Sequence, residues 1–151
     1  MDTPATEAAR AAGLRFTVTQ LGRVISLEEA AAARGVRPED IVKTLVVRRG
    51  EGDFLFVLVP GDRRFSWPKL RALLGSNRVS MPDAEVAREV TGYERGTITP
   101  FGATHAWPVV ADASIAGRVV SLGAGAHGVA LTADADDIVR VLEAELADIS
   151  D

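Results

Sequence analysis

Apolar residues recur along this chain with the period of a β-strand in some segments and of a helix in others. Two runs rich in Val, Leu, Ile and Phe, at 41–49 and 54–62, flank a Gly-containing loop and predict a β-hairpin. Shorter apolar runs predict further strands. These lie at residues 14–18, 78–81, 107–111, 118–122 and 129–131.

Helix start and stop signals punctuate the segments between these runs. Ser26 and Glu29 form a capping-box pattern, and Gly35 follows as the stop of that helix. Thr132 is the predicted cap of a last amphipathic helix whose apolar side includes Leu146. The predicted helices span residues 3–13, 26–35, 66–74, 82–90 and 132–146, with a turn or one-turn helix at 38–40.

This order of elements predicts an α/β fold in which helices flank a mixed β-sheet. A chain of 151 residues is an ordinary length for one domain. No internal repeat occurs, and no Gly- or Pro-rich stretch is long enough to separate domains. We therefore expect residues 1–151 to form a single compact domain.

Composition then excludes several classes of protein. With 47% hydrophobic and 25% charged residues, intrinsic disorder is excluded. The absence of cysteine and the presence of only two histidines argue against a metal site, so no metal and no cofactor is expected. A net charge of -4 argues against broad wrapping of DNA or RNA, although it allows contact with one end of an RNA. No apolar run approaches the ~20 residues of a membrane span, and the N-terminus lacks a signal-peptide pattern, which predicts a cytoplasmic protein.

Lysine is used sparingly, which draws attention to Lys43. Only Lys43 and Lys69 among the 17 basic residues are lysines. Lys43 lies in the apolar run 41–49, where both faces of the strand are expected to be buried. A lysine at the end of such a strand either extends its ammonium to water or serves a cleft, by holding a phosphate or carboxylate or by acting as a nucleophile.

Two glycine-rich segments are further candidates. In the segment 91–102, glycines let the backbone approach a ligand, and free N–H groups can hold an ester carbonyl or a phosphate. The alternative interpretation is that this segment is an ordinary surface loop. The segment 123–128 matches GxGxxG, but a strand follows it, which excludes the dinucleotide motif and indicates a hairpin. His127 at its tip is either a solvated turn residue or a pocket residue.

Taken together, these segments resemble the YbaK and prolyl-tRNA synthetase-associated (ProX-type) editing-domain family over residues 14–149. The resemblance is carried by IVKTLVV with Lys43, by VPGDRRFSWPKL, and by the segment 80–102 with its Thr-Gly-Tyr and Gly-x-x-x-Pro patterns. The segment ADASI with Asp112 and the Gly-rich hairpin complete it.

That resemblance implies a compact domain with a curved, mixed sheet. It implies a free-standing deacylase that hydrolyses the ester of a mischarged aminoacyl-tRNA without a metal. The expected substrate is tRNA for proline carrying Ala, Cys or another small residue. The expected partners are the acceptor end of aminoacyl-tRNA and a prolyl-tRNA synthetase, with no role for a membrane or DNA. A non-catalytic module that binds tRNA or a synthetase is the alternative.

By position, the resemblance assigns the catalytic role to Lys43 and substrate binding to Thr44, Gly96 and Pro100. Thr99 stands where many relatives have Ser and retains the hydroxyl. The full set of expected substrate-binding residues is Thr44, Tyr93, Gly96, Thr97, Thr99, Pro100, Gly125 and His127. Lys43 would neutralise the terminal phosphate or the developing oxyanion, while water or a tRNA hydroxyl attacks the ester. Arginines are the expected contacts to the tRNA backbone, namely Arg48, Arg49, Arg63, Arg64, Arg71 and Arg78.

Overall fold

The structure, a computed structural model, describes residues 2–22 and 26–151. Its five α-helices are α1 (Pro4–Ala11), α2 (Leu27–Arg34), α3 (Trp67–Leu74), α4 (Ala84–Thr91) and α5 (Ala135–Leu142). Its seven strands are β1 (Phe16–Gln20), β2 (Ile41–Gly50), β3 (Asp53–Pro60), β4 (Val109–Asp112), β5 (Val119–Gly123), β6 (Val129–Asp134) and β7 (Glu145–Ala147). Single 3-10 turns occur at Pro38–Asp40 and Ala113–Ile115.

The predicted helix signals are found where the local chemistry requires them. The Ser26 hydroxyl accepts a hydrogen bond from the Glu29 N–H at 3.1 Å, which satisfies one of the free donors at the start of α2. Helix α2 ends at Gly35 with φ 71°, and α3 ends at Gly75 with φ 65°. Glycine adopts this left-handed conformation without the steric cost that a Cβ brings.

All seven strands belong to one mixed sheet, in the order β1-β6-β5-β2-β3-β4-β7. The long β2–β3 hairpin lies at its centre and is antiparallel, with Lys43 opposite Val59. Beside it, β2 pairs with β5 in parallel, and β3 pairs with β4 in parallel. This mixed sheet with its helices confirms the predicted α/β fold class.

The two faces of the sheet carry two separate hydrophobic cores. Helices α1, α4 and α5 contribute to the core that contains Val42, Phe56 and Leu131. Helix α3 packs through Leu70 against the other face, at Val47 and Val57. Since side chains alternate along β2, Thr44 lies on the first of these faces and Lys43 on the second.

Three predictions about secondary structure need correction. Residues 78–81 do not form a strand, because only Ser80 pairs, through a single bridge to Arg48. The last helix is capped by Asp134 and not by Thr132, which lies inside β6. Leu146 is not helical: α5 ends at Leu142, and Leu146 lies in β7, which pairs in parallel with β4.

Candidate functional site

The candidate site lies where β2 and β5 separate. Their parallel pairing covers only Ile41 with Ser121 and Val42 with Leu122. The next residue of each strand is therefore Lys43 and Gly123, and neither extends the ladder. Beyond Gly123 the chain enters the turn that leads to β6, so β2 and this turn flank one opening in the sheet.

Lys43 lies at this opening, and its side chain is exposed. The expectation that both faces of β2 are buried is therefore wrong at Lys43. A Cβ added to Gly123 would meet nothing within 4 Å, so the space beside Lys43 is open. Among residues 2–22 and 26–151, the Lys43 ammonium has no hydrogen bond or ion pair, which leaves all three donors for a ligand.

The second lysine is in the opposite situation. The Lys69 ammonium donates to Asp148 at 3.0 Å and to the Ser150 carbonyl at 2.7 Å, and it lies 3.1 Å from Asp151. Hydrogen bonds to the two carboxylates raise the pKa of Lys69 above its ordinary value. Lys69 thus holds the C-terminal segment in place, and Lys43 is the lysine whose ammonium has no partner among the described residues.

Thr44 presents a polar atom with no partner. It is half-buried, on the face of β2 opposite to that of Lys43. Its hydroxyl oxygen is buried and has no hydrogen-bond partner within the described part of the chain. A buried hydroxyl without a partner costs free energy, which a hydrogen bond to a ligand would recover.

The Gly-x-x-x-Pro loop is built on a tight turn from Glu94 to Thr97. The Glu94 carbonyl accepts hydrogen bonds from the Thr97 N–H at 2.9 Å and from the Thr97 hydroxyl at 2.7 Å. Gly96 occupies this turn with φ 91°, a conformation that favours glycine. Gly96 is exposed, so its backbone can be approached from outside.

The underside of the loop is buried. Tyr93, Thr97 and Thr99 are 4%, 4% and 0% exposed, and Pro100 is buried as well. The Tyr93 hydroxyl donates to the Phe101 carbonyl at 2.6 Å and closes the base of the loop. Burial raises the pKa of Tyr93 to about 12, so the phenol stays protonated and keeps donating this bond at neutral pH.

The turn at 123–128 packs directly against this loop. The Gly125 N–H donates to the Thr97 carbonyl at 3.1 Å. Gly125 has φ 85°, and a Cβ added to it would lie 2.7 Å from the Tyr93 ring. Both the backbone conformation and this close approach require glycine here. The structure therefore brings Tyr93, Gly96, Thr97 and Gly125 together.

His127 lies at the tip of the turn, over the loop. The imidazole Cε1 is 3.8 Å from a Cβ placed on Gly96, and Nε2 is 3.5 Å from the Glu94 carboxylate. Both side chains are exposed. Glu94 was not among the predicted site residues, since nothing in its local pattern separates it from other surface acids.

The predicted tRNA-contacting arginines are only partly free. Arg49 is bound to the Asp53 carboxylate at 3.0 Å, and Arg63 donates to the Ser150 hydroxyl at 2.6 Å. Two surface depressions, of about 610 and 500 Å³, do not have Lys43 among their lining residues. Of the residues predicted to bind substrate or tRNA, Pro100 and Arg49 line the second of these depressions.

Within residues 2–22 and 26–151, no group of three or more His, Asp or Glu side chains could hold a metal ion. No helix in this part of the chain is long and apolar enough to cross a membrane.

Comparison with protein families agrees with the arrangement of these segments. The family model described as "Aminoacyl-tRNA editing domain" matches residues 23–141, a span that contains Lys43, the Gly96–Pro100 loop and His127. The chain belongs to the aminoacyl-tRNA editing domain family. The match covers most of the length of this editing domain and agrees with the resemblance drawn from its motifs.

Curated relatives of this editing domain include proline–tRNA ligases. The enzyme of Bacillus licheniformis is 31% identical over 104 residues, which is 69% of this chain and 18% of the ligase. That of Thermosipho africanus is 38% identical over 92 residues, which is 61% of this chain and 16% of the ligase. The matched region thus spans less than a fifth of the length of these ligases.

Solved structures share the whole fold. A crystal structure assigned as a candidate trans-editing enzyme for prolyl-tRNA synthetase superposes with a TM-score of 0.89 at 26% sequence identity. The superposition covers 100% of this chain and 99% of that one. The similarity therefore extends to the helices and strands outside the span matched by the family model.

Proposed function

We propose that this editing domain is a trans-editing aminoacyl-tRNA deacylase. It hydrolyses the ester of mischarged tRNA for proline that carries Ala, Cys or another small residue, and it acts in the cytoplasm. The observation that carries the proposal is the unpaired Lys43 ammonium at the opening between β2 and β5, inside the span matched by the editing family.

In this proposal, the ester lies between β2 and the Gly96 turn. Water attacks the ester carbonyl, either directly or with help from a tRNA hydroxyl, and releases the free amino acid and the ribose hydroxyl. Lys43 stabilises the terminal phosphate or the oxyanion that forms on the carbonyl oxygen. An aminoacyl ester is already reactive, so positioning and charge stabilisation are sufficient for catalysis.

The buried residues of the loop act indirectly. The hydroxyls of Tyr93 and Thr97 already donate to carbonyls of the loop, so they hold Gly96 in its conformation. Thr99 and Pro100 stiffen the same loop from its buried side. Thr44 offers its unpartnered hydroxyl to the substrate, and His127 borders the space for the amino acid.

Only the acceptor end of the tRNA needs to be held, which agrees with a net charge of -4. Prolyl-tRNA synthetase is the proposed protein partner, because the curated relatives are proline–tRNA ligases.

A deacylation screen tests the proposal. Purified protein is mixed with tRNA for proline charged with Ala, Cys, Ser, Thr, Pro or small non-protein amino acids, and release of the labelled amino acid is followed. A Lys43→Ala preparation serves as the control for contaminating hydrolases. We expect release of small amino acids with wild type alone. Binding of charged tRNA or of the synthetase without any release would instead identify the non-catalytic module.

A further inference from the structure

The N-terminal helix α1 is joined to the turn at 123–128 by a short, buried hydrogen bond. The Thr3 hydroxyl donates to the Ala124 carbonyl at 2.6 Å, across 121 residues of sequence. Thr3 is 5% exposed and Ala124 is fully buried. Ala124 directly precedes Gly125, whose N–H donates to the Thr97 carbonyl of the Gly-x-x-x-Pro loop.

Thr3 is itself fixed by the start of α1. Its hydroxyl accepts from the Thr6 N–H at 3.0 Å, and its own N–H donates to the Thr6 hydroxyl at 2.8 Å. The Thr6 hydroxyl in turn donates to the Thr3 carbonyl at 3.1 Å. The Thr3 hydroxyl also lies 3.4 Å from the Thr6 hydroxyl, but its contact with Ala124 is much shorter. Because the Ala124 carbonyl can only accept, Thr3 is the donor in that bond.

Neighbouring residues of α1 approach the site at two further points. A Cβ added to Gly102 would collide with the Pro4 carbonyl, so the loop passes directly against the start of α1. The Ala5 methyl lies 3.4 Å from a Cβ placed on Gly125. The start of α1 thus contacts both segments that surround Gly96 and His127.

We infer that Thr3 is a positioning residue for the editing reaction, an inference that rests on the proposed function. By holding the Ala124 carbonyl, Thr3 sets the place of Gly125 and His127 against the loop. The residue lies outside the span 23–141 that the family model matches. The turn at 123–128 is therefore held by a segment that precedes the span matched by the family model.

The test compares Thr3→Val, which keeps the shape but removes the hydroxyl, with Thr3→Ser, which retains it. We expect Thr3→Val to lower kcat for the best substrate of the screen by about tenfold to a hundredfold, since small misplacements of reacting groups have effects of this size. KM should change less than kcat, because the substitution of Thr3 leaves Lys43 and its surroundings unchanged. Thr3→Ser should stay within a few-fold of wild type.

A second readout follows the turn itself. Amide hydrogen exchange, resolved by residue, should become faster at Gly125 and His127 in Thr3→Val and remain as in wild type at β3. Ser150→Ala is the matched control, because it also removes a buried hydroxyl, one that donates to Asp112 instead. It should lower the melting temperature without changing kcat or the exchange at Gly125.

The outcomes are distinct. Wild-type kcat and unchanged exchange at Gly125 in Thr3→Val would overturn the inference, as would an equal loss of kcat in Ser150→Ala at matched stability. Failure of the wild-type protein to release any amino acid would overturn the proposed function instead. The exchange at Gly125 would then decide alone whether Thr3 positions the turn.

Discussion

At the scale of single residues, the two lysines show how the same side chain takes opposite roles in different surroundings. Lys69 contacts Asp148 and Asp151 and is neutralised by them, whereas Lys43 has no such acid beside it within the described residues. An unpaired ammonium at an opening in a sheet attracts an anion such as a phosphate or an oxyanion. The difference lies in the neighbours of each lysine and not in its local sequence.

Replacing Lys43 with Ala should remove deacylation and leave the fold intact. The rate should fall by about 100- to 1000-fold, as on loss of oxyanion stabilisation, while an exposed side chain contributes little to stability. The measurement is single-turnover deacylation together with a thermal melt. Lys69→Ala is the matched control and should retain activity. Activity of Lys43→Ala within a few-fold of wild type would contradict the catalytic role.

His127 should govern the choice of amino acid more than the rate. Its imidazole borders Gly96 and is held near Glu94, so removing it enlarges the space for the acyl side chain. His127→Ala should shift the ratio of rates between Ala and larger amino acids by about 10- to 200-fold, because one methylene group in such a pocket is worth about 1–3 kcal/mol. Rates are compared across the charged tRNAs of the screen, with exposed His105→Ala as control. An unchanged ratio would make His127 an ordinary turn residue.

At the scale of elements, the site depends on the fit between one turn and one loop. Each of these two segments consists of residues that are close together in sequence. The contact between them joins separate parts of the chain, residues 93–102 and residues 123–128, through the Gly125 N–H and the Tyr93 ring. The two segments pack closely because Gly125 has no side chain, and a Cβ at this position would collide with the Tyr93 ring. Strain placed at this contact should therefore reach the Gly-x-x-x-Pro loop.

Gly125→Ala should impair both stability and activity. Its φ of 85° is unfavourable for alanine, and the new methyl would lie 2.7 Å from the Tyr93 ring. Gly117→Ala is a close control, since its φ is 75° and its Cβ would meet nothing within 4 Å. The collision should cost about 1–3 kcal/mol beyond the control in urea unfolding. An equal loss of unfolding free energy in the two variants would show that the Tyr93 ring moves aside without cost, which would contradict this prediction.

At the scale of the whole molecule, buried Asp112 joins β4 to the C-terminal segment. Its carboxylate accepts from the Ile149 N–H at 3.1 Å, from the Ser150 hydroxyl at 2.8 Å, and from both the N–H and the hydroxyl of Ser114. Burial by itself raises the pKa of Asp112, but these hydrogen bonds outweigh it and lower the pKa below its ordinary value.

This lowered pKa predicts how stability depends on acid. A carboxyl with a lower pKa in the folded state stabilises the protein above its unfolded pKa, which is about 3.9 for Asp, and loses that contribution as the pH falls further. Asp112→Asn should destabilise the protein by about 1–3 kcal/mol at pH 7 and make its acid-induced loss of stability shallower. Urea unfolding at pH 7, 5 and 3 measures the free energy of unfolding and its dependence on pH. The substitution of exposed Asp62 with Asn serves as the control. The same pH dependence in Asp112→Asn and wild type would contradict this role.

Local chemistry alone determined much of this protein. Caps such as Ser26, stops such as Gly75 and the central hairpin involve hydrogen bonds or side-chain periods within a few residues, so they were predictable from sequence. The rarity of lysine in the composition drew attention to Lys43, whose catalytic role stays a prediction. Where local signals were missing, the prediction was wrong: α5 ends with Glu143 in the left-handed conformation at φ 53°, without a glycine to mark its end.

Other features were decided by the tertiary structure alone. Lys43 is exposed although it lies in an apolar strand, and β7 pairs with the edge of β4 that β3 leaves free. The contact of Glu94 with His127 and the bond of Thr3 to Ala124 join segments that are far apart in sequence. Their physical reason is the order of strands in the sheet, which selects the residues that become neighbours, and no pattern of a few residues contains that order.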